Sequence, residues 1–559
     1  MKKPELLCPV GGKDTLDAAL RGGADAVYFG GKAFNARMNA KNFTPDEIRE
    51  AVLTCHGRGV KVYITANTLL TDRELPGGLD FVSSLYEMGV DALIVADLGL
   101  ASLIRESFPD FELHASTQMS GHSVGAACFL KEKGFSRMVL AREMTKSNIE
   151  LLCRQAPIET ELFVHGALCA SASGQCLMSS MIGDRSGNRG ECAQPCRLPY
   201  NGGYPLSLKD LCLAGHIEEI LSLGVSSLKI EGRMKSPDYV YATARTWRTL
   251  LDEGRCATER EISYLSRIFS RSGFTDGYFT AKRDKTMLGT RTEQDKAKTE
   301  KEKIRFTDCG ARSEAISLSR ESKAPLPLEK PPKEKCRFCR SAVFQQAKQI
   351  PDGNFFKEIY LPLHRFDGTK ANGVLLPAVI FPDEEKDIRL LLKEAREQGA
   401  AHALVGNLGH FRLLEGLDFT IHGDFRLNVQ NSFTLKQLPS MEDVIVSPEL
   451  NGAKMRDIRG KKRVIVYGRL PLMLLEKQVG CTSLCDRRGV IFPVEREGRR
   501  DVVFNSVPFY MADRKKDLKD KELENQHFIF TTETKKQVED IILAFREGRK
   551  ADFPFKRIP

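Results

Sequence analysis

Eight short apolar segments recur through the first 255 residues, and stretches with helical periodicity separate most of them. The intervening stretches, such as TPDEIREAVLTCHGRG, are amphipathic, and several end at a glycine, as helices commonly do. Strands that alternate with helices run parallel, because each crossover returns the chain to the same edge of the sheet. Eight such units predict an α/β fold, a (β/α)8 TIM-like barrel. The predicted strands are Glu5–Pro9, Ala26–Phe29, Lys61–Ala66, Ala92–Ala96, Glu112–Ala115, Arg137–Ala141, Glu161–Val164 and Ser227–Ile230.

The sequence pattern divides the chain into three parts. Residues 1–255 carry the predicted barrel, with a cysteine-rich loop at 165–200 after its seventh strand. A doubly wound sheet is the alternative, although no G-x-G-x-x-G motif follows the first strand. Residues 256–335 form an extension and a linker rich in Lys, Glu, Arg and Pro, which we expect to be loosely attached. Residues 336–559 are predicted to form a second, barrel-like βα domain.

The second domain repeats part of the first. ALVGNLGHF at Ala403 parallels ALIVADLGL at Ala92, and VIVYGRLP at Val464 resembles ELFVHGALC, with Pro471 in the place of Cys169. An internal repeat explains both similarities, and the common pattern of βα units is the alternative explanation. Because the second copy lacks the four-cysteine arrangement, we expect it to bind or to scaffold rather than to catalyse.

The loop at 165–200 contains four cysteines in a Gly/Ser-rich segment with little periodicity of its own. A loop of small residues buries little apolar surface, so four thiolates on one metal centre would supply its cross-links. The spacing C-x6-C-x15-C-x3-C departs from the paired knuckles of structural zinc sites and favours a [4Fe-4S] cluster, with zinc as the second choice. Four unrelated thiols in a loop are the remaining interpretation. The predicted ligands are Cys169, Cys176, Cys192 and Cys196.

Two further cysteine pairs, C-x2-C and C-x3-C, lie in the second half of the chain. Together they could form a second four-ligand site. The first pair, however, also reads as the first strand of the second domain, where successive side chains face opposite sides. The two pairs are Cys336 with Cys339 and Cys481 with Cys485.

The composition is that of a soluble globular protein, with 42% hydrophobic and 28% charged residues. No apolar run is long enough to cross a membrane, and the N-terminus does not read as a secretory signal. Fifteen cysteines without such a signal predict a reducing, cytoplasmic location. The net charge of +10 is compatible with an RNA partner and equally with an ordinary soluble surface.

The segments FVHGALC, SGQC, NRGECAQPCRLPY and SLKIEGRMKSPDYV resemble the collagenase-like peptidase family U32. Similarity is greatest to the branch of that family that hydroxylates pyrimidines in ribosomal RNA and tRNA, and it extends through FSRSGFTDGYF. The resemblance implies an iron–sulfur cluster, an oxygen-independent reaction with prephenate or a similar small acid as hydroxyl donor, and an electron donor whose identity is open.

Several polar residues are predicted at the carboxyl ends of the strands, where barrel enzymes carry their chemistry. We expect His165, Glu143 and Glu231 to be catalytic. Prephenate is a dianion, so cationic side chains are candidates for its carboxylates. The substrate-binding candidates are Arg142, Lys229, Arg233, His114 and Gln118, and those for flanking RNA phosphates are Arg185, Arg189 and Arg197. Structural salt bridges and a histidine packed against the barrel wall are the alternatives for these residues.

The sequence therefore favours an iron–sulfur enzyme that hydroxylates a pyrimidine base in RNA, most simply a cytidine of large-subunit ribosomal RNA. A collagenase-like peptidase, an enzyme acting on a small aromatic quinone precursor and a non-catalytic RNA-binding protein are the alternatives. No H-E-x-x-H motif supports the peptidase. Cys169 with His165 could form a thiol–imidazole pair, but the metal hypothesis accounts for all four cysteines.

Overall fold

The computed structural model describes residues 3–38, 40–301, 304–318, 320–334 and 338–557. The first half forms a closed barrel of eight parallel strands, as predicted. The barrel strands are β1 (Glu5–Pro9), β2 (Ala26–Gly30), β3 (Lys61–Ala66), β4 (Ala92–Val95), β5 (Glu112–Ala115), β6 (Arg137–Val139), β7 (Glu159–Ala167) and, after the intervening β8 (Asp210–Cys212), β9 (Ser227–Ile230). Closure is complete because β9 pairs with both β1 and β7.

Two short strands lie outside this barrel at the exit of β7. The strand β8 pairs antiparallel with the end of β7, and β10 (Phe274–Thr275) pairs parallel with β8. The helices of this half are α1 (Lys13–Gly22), α2 (Pro45–His56), α3 (Leu75–Glu87), α4 (Leu98–Ser107), α5 (Val124–Glu132), α6 (Lys146–Gln155), α7 (Met178–Gly183), α8 (Ile217–Leu223), α9 (Pro237–Glu253), α10 (Glu259–Ile268) and α11 (Glu293–Lys301).

Local sequence fixes the ends of these helices. Thr44 caps α2 and forms a capping box with Glu47, and Ser236 caps α9 by accepting a hydrogen bond from the Tyr239 N–H. Gly254 ends α9 in a left-handed conformation that costs glycine little. The strand-to-helix loops therefore have defined exits, and those loops carry the candidate site.

The second half forms another closed, eight-stranded parallel barrel. Its strands are β11 (Arg340–Phe344), β12 (Glu358–Pro362), β13 (Gly373–Leu375), β14 (His402–Val405), β15 (Thr420–Gly423), β16 (Asp443–Ile445), β17 (Lys462–Gly468) and, after an insertion, β23 (Gln526–Phe530). The insertion contains β18 (Pro471–Leu475), β19 (Ser483–Cys485), β20 (Ile491–Glu497), β21 (Arg500–Phe504) and β22 (Phe509–Tyr510). The helices are α12 (Glu385–Glu397), α13 (His410–Leu414), α14 (Ser432–Gln437), α15 (Gly452–Asp457), α16 (Lys515–Asp520) and α17 (Lys535–Glu547).

The topology shows that the repeat extends further than the sequence indicated. The segments ALIVADLG and ALVGNLG supply β4 and β14, the fourth strand of each barrel, and the FVHG and VYGR segments end the seventh strands, β7 and β17. Each seventh strand is followed by an insertion whose last strand returns antiparallel to it, β8 in one copy and β22 in the other. The second half is therefore a whole barrel rather than a partial copy.

The two barrels pack through equivalent helices. The helix α4 lies against α14, and α13 lies against α5, so each pair joins the helix after a fourth strand to the helix after a fifth strand. Asn431 caps α14 and donates hydrogen bonds to the Leu70 carbonyl and the Asp97 carboxylate, both at 2.8 Å. Close approach requires glycine, because a Cβ at Gly99 would lie 2.4 Å from Asn431 Oδ1. Gly409 meets Ser123 in the corresponding way.

The described residues of the segment 304–334, which are 304–318 and 320–334, form a strap along the helix-to-strand loops of the first barrel, in contrast to the loose attachment that the composition suggests. Arg320 donates a hydrogen bond to the Val90 carbonyl at 2.6 Å, and its guanidinium lies over the rings of Tyr86 and Phe111, 4.7 Å from each centroid. Further along, the Pro331 carbonyl accepts a hydrogen bond from Arg459 of the second barrel at 3.0 Å. Charged and proline-rich composition therefore coexists here with specific packing.

Candidate metal centre and active site

The cysteine-rich loop leaves the carboxyl end of β7, where the sequence placed it. A buried glutamate anchors its first part. Both oxygens of Glu143, which follows β6, accept hydrogen bonds from Ser173, one from the backbone N–H at 2.9 Å and one from Oγ at 3.0 Å. Ser173 lies between Cys169 and Cys176, so Glu143 fixes the segment that carries two of the four thiols. The sequence-based hypothesis made Glu143 catalytic, whereas its contacts are those of a positioning residue.

The second barrel covers the outer side of the same loop. The backbone N–H of Ala172 donates to the Leu474 carbonyl at 2.7 Å, and that of Leu177 donates to the Leu472 carbonyl at 2.8 Å, so β18 continues as a partner of the loop. Apolar residues of the loop belong to the same hydrophobic cluster as side chains that fill the second barrel. These loop residues are Ala170, Leu177, Met178 and Met181, and the barrel residues include Val343, Tyr360, Leu375, Leu404 and Ile465.

The four cysteine thiols lie near enough to influence one another. Burial raises the pKa of Cys169 and Cys176, and the neighbouring cysteines raise it further. Burial and its cysteine neighbours raise the pKa of Cys196 to about 12. Cys192 is exposed and accepts a hydrogen bond from the Gln194 N–H at 3.3 Å. No disulfide joins any of the four.

Arginines surround this group of thiols. A guanidinium beside a thiol favours the thiolate, the form in which cysteine binds metals. The neighbours are Arg142 for Cys169, Arg197 for Cys196 and Arg37 for Cys192.

The chemistry of this donor set fits a thiolate-ligated metal centre: four sulfurs on one loop, three of them on partly buried cysteines, with cations nearby to offset negative charge. The residues that would hold it are Cys169, Cys176, Cys192 and Cys196. Among the described residues, no group of three or more histidine, cysteine, aspartate or glutamate side chains is arranged to hold a single metal ion.

A charged triad lies beside the thiols in the mouth of the first barrel. Glu231 accepts from Arg142 at 2.9 Å and from Arg37 at 3.4 Å. Burial opposes ionisation, but Arg37 and Arg142 hold the pKa of Glu231 below its usual range. The guanidinium of Arg142 also lies over the ring of Phe163, 4.1 Å from its centroid. The mouth thus presents two guanidinium groups that share one ionised carboxylate, an arrangement suited to binding an acid.

Two of the cationic side chains predicted to bind the substrate are paired with other residues of the protein. Lys229 forms a buried ion pair with Glu161 at 2.6 Å, deeper in the barrel than the triad. Arg233 is buried and donates to Thr65 at 3.1 Å and to Asn42 at 2.7 Å, so it ties β9 to the β2 and β3 side of the barrel. Their inward orientation follows the strand alternation, but both act first as structural groups.

His165 does not lie in the barrel mouth, where the sequence predicted it. Glu161 and Phe163 pair with Ser227 and Lys229, but the register then shifts, so that His165 pairs with Ile230. The extra residue turns His165 to the outside of the barrel, behind the wall. Its ring packs on Phe274 and Tyr239, at centroid distances of 5.1 and 5.9 Å, and neither nitrogen has a hydrogen-bond partner. Burial lowers the pKa of His165 to about 3.

The two substrate-binding candidates on the fifth strand and its exit lie in different places. His114 is fully buried inside the barrel, where it contacts Glu112 at 3.1 Å and the edge of the Tyr63 ring. Gln118 instead lines a small cavity of about 40 Å³ between the barrels, together with Gln175 and Arg426. The fifth-strand candidates therefore do not converge on the triad.

The arginines predicted to contact RNA phosphates also differ from one another. Arg189 is ion-paired with Glu74 and so holds the loop against the barrel, whereas Arg197 donates to the Leu168 carbonyl at 2.7 Å and joins the end of the loop to its start. Arg185 is exposed and hydrogen-bonds to a backbone carbonyl within the loop.

The second group of cysteines is divided between the two ends of the second barrel. Cys339 comes just before β11 and donates to Glu358 at 2.9 Å. Cys481 and Cys485 belong to the insertion at the opposite end, where the backbone N–H of Cys485 donates to Asn201 Oδ1 at 2.8 Å. Cys336 lies outside the described residues. The predicted first strand begins after this pair, at Arg340.

Sequence reasoning missed three residues that complete the site. Arg37, in the loop after β2, reaches the triad, and Ser173 receives the Glu143 contacts. Lys235 lies in the loop after β9, among further cations. The sequence offered only weak signals for these residues. Arg37 and Lys235 follow predicted strands, and Ser173 lies inside the cysteine loop.

Comparison with known proteins places this geometry in a family. Residues 11–289 match the sequence model of peptidase family U32. The Porphyromonas gingivalis protein named Collagenase is 32% identical over 315 residues, which cover 50% of this chain and 74% of that protein. The chain belongs to peptidase family U32. The matched region contains all four cysteines and the triad.

Two relatives carry names that refer to RNA. The Escherichia coli 23S rRNA 5-hydroxycytidine C2501 synthase is 40% identical over 293 residues, and the Bacillus subtilis tRNA hydroxylation protein P1 is 38% identical over 268 residues. The matches cover 50% and 45% of this chain, and 43% and 64% of the respective relatives. Among the described residues, no helix is long and apolar enough to span a membrane.

Proposed function

We propose that this protein is a cytoplasmic RNA-modifying enzyme that hydroxylates a pyrimidine base, with a cytidine of large-subunit ribosomal RNA as the first candidate. The observation that carries the proposal is the convergence of four cysteine thiols and the Arg37–Glu231–Arg142 triad at one barrel mouth. The relatives whose names refer to rRNA and tRNA hydroxylation support the choice of substrate.

The cofactor in this proposal is a [4Fe-4S] cluster held by Cys169, Cys176, Cys192 and Cys196, with zinc as the second choice. When bound, such a cluster would supply redox or Lewis-acid chemistry at the mouth. The chain's own residues do the positioning. Glu143 fixes the loop through Ser173, and the insertion of the second barrel hydrogen-bonds to its first part at Ala172 and Leu177.

The triad would bind the hydroxyl donor, for which prephenate or a similar small diacid is the candidate. Arg37 and Arg142 present guanidinium groups that suit carboxylates, and Glu231 holds them in position. Transfer of the hydroxyl group balances as an exchange between the donor and the base. The base loses a hydrogen and gains a hydroxyl, while the donor loses a hydroxyl and gains a hydrogen. The electron donor that the family resemblance implies would then serve only to set the redox state of the cofactor. A pyrimidine would have to leave its stack to reach the mouth.

The peptidase alternative has less support from the geometry. A Cys169 nucleophile would need a nearby base, and His165 packs behind the barrel wall. A small-molecule hydroxylase remains an outcome of the test below.

Anaerobic reconstitution tests the proposal. Purified protein should bind about four iron and four sulfide per chain, the content of one [4Fe-4S] cluster, and it should convert a pyrimidine in unmodified ribosomal RNA when the small acid is added. Alanine at any of the four loop cysteines should remove iron and activity, whereas alanine at Cys128 or Cys212 should not. Stoichiometric zinc without sulfide would contradict the cluster and indicate a structural zinc site. Turnover of a free aromatic acid without RNA would contradict RNA as the substrate.

A further inference from the structure

A second group of cations lies on the rim of the first barrel, outside the triad. Three cations surround the ring of Phe269. Their distances to the ring centroid are 2.9 Å for Lys235 Nζ, 4.4 Å for the guanidinium carbon of Arg291 and 5.6 Å for that of Arg271. The face of an aromatic ring attracts cations. Phe269 therefore holds these positive charges together, a role that carboxylates usually have.

The charge of this group is not balanced within the described part of the protein. Arg271 is ion-paired with Asp210 at 2.5 Å. Neither Lys235 nor Arg291 has a carboxylate within ion-pair distance in the described residues, and burial followed by the nearby arginines lowers the pKa of Lys235 to about 7, against the opposing pull of Asp210. Like charges held together at a partly buried site favour the binding of an anion.

The group is continuous with the candidate active site. Lys235 follows the end of β9 by five residues, close behind Glu231 of the triad. Arg271 precedes β10, which pairs with β8 at the exit of β7. Arg197 connects the two regions, because it lies near Arg271 as well as near the loop cysteines. The group therefore flanks the mouth on the side where the cysteine loop leaves the barrel.

The rim is also open to a large ligand. Arg291 is exposed, and Met234, next to Lys235, is 55% exposed. In the triad, by contrast, Glu231 and Arg142 are largely enclosed, with side-chain exposures of 13% and 12%, and only Arg37, at 36%, reaches the surface. A small acid fits the enclosed triad, whereas a phosphate on a long polymer fits the rim.

We propose that Lys235, Arg271 and Arg291, gathered around Phe269, form a binding site for a backbone phosphate of the RNA strand that flanks the target base. This inference rests on the RNA substrate of the proposed function. A phosphate held at the rim would fix the register of the strand while the adjacent base enters the mouth. It would also supply the negative charge that the group lacks.

Salt-dependent binding of RNA tests the site without any turnover. The full-length protein is titrated with a fluorescently labelled single-stranded RNA oligonucleotide at several salt concentrations. The variants are Arg291→Gln and Lys235→Gln, and the control is Arg260→Gln, an exposed arginine in the first turn of α10. Each site variant should weaken binding and reduce the slope of log Kd against log salt by about 0.7, the effect of one lost phosphate contact on a single strand. The control should change neither quantity.

The outcomes separate this inference from the proposed function. If both site variants keep the wild-type Kd and slope, the rim does not bind RNA. If they keep RNA binding but raise the KM of the small acid, the group is an extension of the acid site, and the inference is wrong. If wild-type protein binds RNA with a slope that the variants reduce, yet hydroxylates no base, the phosphate site stands and the proposed reaction fails.

Discussion

Replacing Glu143 by alanine should release the cysteine loop without unfolding the barrel. Glu143 is buried, and both of its carboxylate oxygens are occupied by Ser173. Alanine removes both acceptors and leaves the buried Ser173 N–H without a partner. Other contacts hold the same segment, since the Ser173 carbonyl still accepts from Ser120 Oγ at 2.8 Å.

The size of the effect follows from the two lost bonds. Hydrogen bonds to a charged group contribute about 1.5–3 kcal/mol each. With the lower figure for both, the loop loses about 3 kcal/mol, which is roughly a 100-fold increase in the ratio of released to anchored loop. Glu143→Gln keeps an acceptor for the Ser173 N–H, so its cost should be about 1 kcal/mol, less than a tenfold change.

The assay is the rate at which reconstituted protein loses iron to a chelator, together with far-UV circular dichroism. We expect Glu143→Ala to lose iron much faster than wild type, Glu143→Gln to lie close to wild type, and both to keep their helical signal. The conservative variant decides between the two roles. If Glu143→Gln kept its iron at the wild-type rate but had no hydroxylation activity, Glu143 would be an acid or base of the reaction, and the positioning argument would be refuted.

Three further outcomes follow from the contacts described above. Asn431→Ala should lower stability by about 2–4 kcal/mol, because it removes buried bonds between the barrels, whereas Asn451→Ala removes a single helix cap and should cost about 1 kcal/mol; thermal unfolding checks both. RNA affinity should be highest below pH 7 and should fall as the pH rises through about 7, where Lys235 of the free protein loses its proton. Lys235→Arg should make the affinity less dependent on pH in titrations at fixed salt. Arg320→Ala should expose the strap at 304–334, so limited proteolysis should cut there sooner than in wild type.

Much of the architecture could be predicted from the sequence, because it depends on local periodicity. The strands Glu5–Pro9, Lys61–Ala66, Glu112–Ala115 and Ser227–Ile230 match their predicted bounds. The seventh strand was predicted as Glu161–Val164 and runs from Glu159 to Ala167. The repeat was visible only where equivalent strands had kept similar residues, whereas backbone pairing reveals all eight strands of the second barrel.

The side-chain roles were harder to predict, because they depend on contacts between distant residues. His165 was expected at the strand end in the barrel mouth, but one extra residue in the strand turns it outward, and no local sequence pattern indicates such a bulge. Glu143 was identified as a functional position, but its partner Ser173 lies 30 residues further along the chain. Composition predicted an extension and a loosely attached linker at 256–335, since hydrogen bonds to distant backbone groups cannot be deduced from composition.

The most direct test of the central claim is mass spectrometry of RNA nucleosides from cells that contain or lack this protein. We expect a hydroxylated pyrimidine in ribosomal RNA or tRNA to disappear when the gene is deleted and to return with the wild-type chain. It should not return with the Cys169→Ala variant, and it should return with Cys128→Ala. An unchanged set of modified nucleosides after deletion, or full restoration by Cys169→Ala, would contradict the assignment of an iron–sulfur RNA hydroxylase.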